Sequence, residues 1–161
     1  MDIIIAWFES SPTHTWMVDH NWITVVLEII HFFGLCLLLG ALLIIDLRMI
    51  GWFKSISVKA IHSLLPVVFI GFGLNLMSGV LFVFYDPARY LINISFQIKM
   101  VLVFLAALNA LFYYWKIHPN IDRWSQDDSF PAFAKVVAAA SLLLWYGVLA
   151  CGRFIPYVGT G

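Results

Sequence analysis

Glu28 and His31 are the residues whose type and setting most need a chemical explanation. They stand three apart, on one face of a helix, inside an apolar block running from about Asn21 to Ile45. An ionisable group inside such a block costs at least about 2.5–3.5 kcal/mol on insertion scales, and needs a partner or a purpose. At about 1.5 Å per residue, they lie about 10 and 15 Å below the outer boundary. A second block brings Asn75 and Ser78 to similar depth. Lys99 enters a few residues into a third block, and Arg153 stands at the exit of a fourth. A polar cluster of Glu28, His31, Asn75, Ser78 and Lys99, with Arg153 at its rim, is therefore expected in one half of a bundle. The other half offers only Asn109 for comparison.

Three chemistries fit that cluster. One is structural: Glu28 paired with Lys99 or Arg153, with His31 and Asn75 bridging helices as polar glue. Another is a haem b site, with His31 as axial ligand to the iron and Lys99 or Arg153 holding the propionates. The last is a proton, ion or quinone site centred on Glu28 and His31. Bis-histidine ligation needs two histidines at equal depth, and His31 has no such mate. Met77 and Met100 lie near its level as candidate sixth ligands, and His14 and His20 belong to an outer tail that a fold-back would bring closer. His62 and His118 match each other in depth at the opposite end, where they are a second candidate haem-binding pair. Glu28-Ile-Ile-His31 also fits the Glu-x-x-His element of di-iron bundles, but those sites need a second such element and two further glutamates. No phosphate loop or nucleophile with a paired base is present.

The elements that must position these groups follow from composition. Of 161 residues, 63% are hydrophobic and only 11% charged. A soluble domain carries about 25% charged residues, so the expected solvent is lipid. The expected fold class is all-α: an integral membrane antiparallel four-helix bundle in one domain, with spans at about 21–45, 58–85, 95–115 and 133–152. Each is long enough to cross about 30 Å of hydrocarbon, and the alternating segments of a β-barrel are missing. The net charge of zero leaves nucleic-acid binding without an electrostatic footprint. Cys36 and Cys151 sit at different depths and read as packing residues rather than a disulfide.

Basic residues set the orientation. Arg48, Lys54 and Lys59 follow the first span, and Lys116, Arg123 and Lys135 follow the third; Arg89, Lys99 and Arg153 lie on the other side. That asymmetry places the first and third loops in the cytoplasm and both termini outside. Residues 1–19 read as an outer interfacial segment: Asp2 stands where a signal peptide is positively charged, and Ile3–Phe8 is too short and too aromatic for its apolar region. Trp16, Trp22, Trp52, Tyr85, Tyr90, Trp115 and Trp124 fall near span boundaries, as an aromatic belt does. Gly71, Asn75 and Gly79 mark one small-residue face, as do Ala106 with Ala110, and Ala134, Ala138 and Ser141; such faces let helices approach closely in lipid. The loop from Lys116 to Pro131 is expected to pack on the cytoplasmic surface.

Several short patterns together resemble a family. His31-x-x-Gly34, Asp46-Leu47-Arg48, Asn93-x-x-Phe96-x-x-Lys99, Asn109-Ala110, Ser141-x-x-x-Trp145 and Gly152-Arg153-x-Ile155-x-Tyr157 are similar to those of an uncharacterised bacterial family of four-transmembrane-helix proteins, a domain of unknown function. Its layout is broadly similar to small b-type cytochromes and copper-resistance membrane domains, so the resemblance implies a redox-associated role with haem. Members often carry a histidine shortly after the Asn-Ala pair, where this chain has Tyr113-Tyr114.

The expectation is a small inner-membrane protein that holds haem b and passes electrons, working in the lipid bilayer as a homo-oligomer or as a subunit of a membrane complex rather than as a stand-alone enzyme. The alternatives are a non-catalytic accessory or scaffold subunit, and a proton or ion conductor.

Overall fold

Four apolar helices dominate the computed structural model, which describes residues 2–121, 124 and 130–158, without the side chains of Lys59 and His62. Two short helices lead in, α1 (Asp2–Glu9) and α2 (Pro12–Asp19), and then comes the long α3 (Trp22–Ile50). A five-residue α4 (Val58–His62) precedes α5 (Leu65–Tyr85), and α6 (Pro87–Leu91) links it to α7 (Ile94–Phe112). A π-helical turn (Tyr113–Ile117) and a 3-10 turn (His118–Asn120) prolong α7, and α8 (Ala132–Phe154) completes the chain. Among the described residues only helices and turns occur. The four long helices have the length and composition to cross a membrane.

The boundaries differ from the sequence expectation in two informative places. Asp46-Leu47-Arg48, expected to close the first span, lies inside α3. The helix continues until Gly51, whose φ of 117° is the left-handed conformation of a helix C-cap; its N–H donates to the carbonyls of Arg48 and Leu47. The second expected span, in turn, is broken in front of Pro66. Proline has no N–H to continue the helical ladder, so α4 ends at His62 and α5 starts at Leu65.

Packing follows the small residues. The main contacts run from α5 to α3, from α3 to α8 and from α8 to α7, while α5 and α7 barely touch. At the α3–α5 crossing, a Cβ added to Gly71 would meet the Leu38 amide nitrogen at 2.6 Å and the Gly34 carbonyl oxygen at 2.8 Å. Only glycine permits that approach. Ala134, Ala138 and Ser141 are buried along α8, and Ala106 is buried opposite them on α7, whereas Ala110 is exposed. Outward-facing side chains are mostly large and apolar, among them Phe69, Phe104 and Leu143, a surface compatible with a membrane-spanning bundle.

One end of the bundle gathers both ends of the chain. The lead-in helices fold back onto α5: Phe8 meets Phe84 edge-on at 4.8 Å, the ring Nδ1 of His14 lies 2.9 Å from the Phe84 carbonyl oxygen, and Met17 is buried. Asn93 ties down the other terminus. Its Nδ2 donates to the carbonyls of Ile155 (2.9 Å) and Val158, while its Oδ1 caps α7 by accepting from the amides of Ser95 and Phe96. At the opposite end Ile117, Ile121 and Phe130 pack with Ile45 and Met49 in the main apolar core.

Candidate functional site

The gap between α5 and α7, near the end that bears the termini, is a cavity of about 550 Å³ walled by α3, α5, α7 and α8. Its position follows from the packing. Gly34 and Gly71 hold α5 tightly against α3, Lys99's helix leans on α8, and nothing draws α5 and α7 together. A cavity of this size, mostly apolar with a few convergent polar groups, is the usual form of a small-molecule site.

Glu28, His31, Asn75, Lys99 and Arg153 all line it, so the expected cluster assembles. Ser78 is fully buried directly behind His31. His31 is half-buried, with its Nδ1 2.8 Å from Ser78 Oγ. The Ser78 hydroxyl has one proton, and its shortest acceptor is the Leu74 carbonyl at 2.6 Å. Ser78 Oγ is therefore the acceptor and His31 Nδ1–H the donor, which makes Nε2 the lone-pair nitrogen. The ring edge also packs on Phe82 at 5.6 Å. Asn75 Nδ2 donates to the carbonyls of His31 (3.3 Å) and Gly71 (3.2 Å), bonding α3 to α5.

The cations come from the other pair of helices. Lys99 lies across Gly152, where an added Cβ would meet its Nζ at 3.6 Å; the missing side chain leaves the lysine stem its channel. Arg153 is exposed at the rim, its guanidinium 5.8 Å from the Tyr157 ring centroid, a cation–π contact. Glu28 is exposed at the mouth and also borders a smaller cavity of about 230 Å³ with Arg89 and Asp86. Tyr90 borders both cavities. Burial pushes its phenol above the ordinary tyrosine range; Arg89 opposes that shift and Asp86 and Glu28 add to it. Tyr90 is thus a protonated donor at the mouth, and it stacks between Phe82 and Phe96. Nothing in the sequence pattern separated it from the other boundary aromatics.

The remaining candidates fall elsewhere. Met100 lines the cavity, and Met77 does not. His14 is engaged by the Phe84 carbonyl and His20 by the Trp16 carbonyl at 2.8 Å, so the fold-back of the tail caps α5 and α2 rather than the cavity. At the far end His118 stacks on Tyr114 at 5.4 Å, and the side chain of its expected mate His62 lies outside the described residues. Among the described residues, no group of three or more His, Cys, Asp or Glu forms a metal cage. Cys36 and Cys151 are free thiols.

The sequence reading missed a second polar site. Asp46 is buried in the other half of the bundle and hydrogen-bonded to Ser141. The signal was Gly51, which as a C-cap places Asp46 about one turn inside the helix.

The chain matches no protein-family model, no curated protein and no solved structure.

Proposed function

We propose that this is a multi-pass protein of a bacterial inner membrane, with both termini outside, that holds haem b in the cavity between α5 and α7 and takes part in electron transfer. The excess of Lys and Arg in the first and third loops supports the orientation. The observation that carries the cofactor reading is His31 on the cavity wall with its Nδ1–H committed to Ser78. Histidines that bind metals are oriented in this way by an acceptor on the other ring nitrogen.

The residues present fit the group. Nε2 of His31 is the lone-pair donor for iron, Lys99 and Arg153 supply positive charge for two propionates, and Phe72, Phe96 and Trp145 line the cavity with flat apolar surface for a macrocycle. Met100, also in the wall, would offer its thioether sulfur to the iron. Bound there, haem would supply one-electron chemistry in a low-dielectric setting. The chain's own part is to orient the imidazole, neutralise the carboxylates and exclude water. The small bundle leaves its electron donor and acceptor to other copies or other subunits.

Titrating the detergent-purified chain with ferric haem tests this reading. A Soret shift that saturates at one haem per chain, and disappears in His31→Ala, is expected; a shift that never saturates overturns it. A second reading, an accessory subunit, is supported by Asn75, whose amide bonds α5 to the His31 carbonyl of α3 as polar glue.

A further inference from the structure

We propose that Asp46 is a proton-binding site: a carboxylic acid held by Ser141 in the core of the half-bundle remote from the termini, exchanging its proton with solvent. The proposal is independent of what fills the cavity between α5 and α7.

The surroundings carry the argument. Asp46 is 4% exposed, and its neighbours in sequence Ile45 and Met49 belong to the main apolar core together with Ala134 and Ala138. Ser141 hydrogen-bonds the carboxyl, while Oδ2 is buried without a hydrogen-bond partner among the described residues. A carboxylate sealed in such a core needs a paired cation and several donors to offset its lost hydration. Among the described residues one hydroxyl serves it. A neutral acid leaves only a carbonyl-like oxygen unsatisfied, a much smaller cost.

The groups facing it are consistent with that state. From the prolongation of α7, Tyr113 is near enough to interact with Asp46 electrostatically. From α5, the residues packed on this core are Leu65 and Val68, both apolar. Arg48 shares α3 but stands two residues on, a spacing that points side chains apart, and its Nε donates to the Ile56 carbonyl at 2.9 Å. Asn109 Nδ2 donates to the Val137 carbonyl at 3.2 Å, one turn before Ser141, and so is committed to the α8 backbone. Asp46 and Ser141 together form a site where a proton can be held, with Tyr113 within electrostatic reach.

Infrared spectroscopy of the full chain in lipid films tests the proposal. The expected spectrum at neutral pH contains the carbonyl band of a protonated carboxyl that moves to lower frequency in D2O. Asp46→Asn should lose this band, and Glu28→Gln should keep it. A wild-type spectrum without the band, a band indifferent to D2O, or an Asp46→Asn spectrum that retains it overturns the proposal. If Asp46→Asn does not fold, Ser141→Ala decides: removing the hydrogen bond should raise the band's frequency, and an unmoved band contradicts the site.

Discussion

His31 and Ser78 sit on different spans, 47 positions apart in sequence, yet their side chains meet at 2.8 Å with the serine proton directed to the Leu74 carbonyl. One hydroxyl thereby selects the tautomer of the imidazole on the cavity wall. The functional reading depends on this pair more than on any other contact.

Ser78→Ala should separate an oriented ligand from a packing histidine. The variant strands the His31 Nδ1–H, at a cost of about 1–3 kcal/mol. Loss of an outer partner of this kind typically weakens metal binding by about 10–100-fold. Haem titration should show that weakening at unchanged stoichiometry, with helical content by circular dichroism retained.

The crossing of α3 and α5 should be intolerant of a single methyl group. With Leu38 N 2.6 Å and Gly34 O 2.8 Å from its position, the new Cβ of Gly71→Ala meets backbone rather than flexible side chain. The expected destabilisation is about 1–3 kcal/mol, read as a lower Tm in detergent. Gly73→Ala is the control, since a Cβ there meets nothing within 4 Å, and its Tm should not fall, alanine being the better helix former.

These contacts show what the sequence carried and what it did not. The four long apolar helices were legible because each is a long apolar block ended by charge or proline. Depth was legible too, since helical rise is constant, and Glu28, His31, Asn75 and Lys99, read at similar depth, line one cavity. Rotation about each helix axis was not legible. Ser78 at the level of His31 says nothing about whether the two face each other, and the Gly34–Gly71 approach that makes them do so emerges only from packing. Asp46 was misread as a span exit because charged residues usually mark exits; Gly51, five residues further, is the actual stop. The π-turn at Tyr113–Ile117, which accompanies Tyr113's approach to Asp46, has no sequence signature.

Orientation in the membrane is tested by labelling. In a chain with Cys36 and Cys151 replaced by alanine, a membrane-impermeant maleimide added to intact spheroplasts should label Ser10→Cys and leave Lys54→Cys unlabelled until the membrane is opened. The reverse pattern would invert the topology and put the cavity in the cytoplasmic leaflet.

The most direct test of the central claim is the visible absorbance of the protein purified from haem-replete cells, beside His31→Ala prepared in parallel. The expected result is a Soret band with a reduced α-band at about one haem b per chain, absent from a variant that still folds. A colourless wild type, or a variant as coloured as the wild type, would contradict the account.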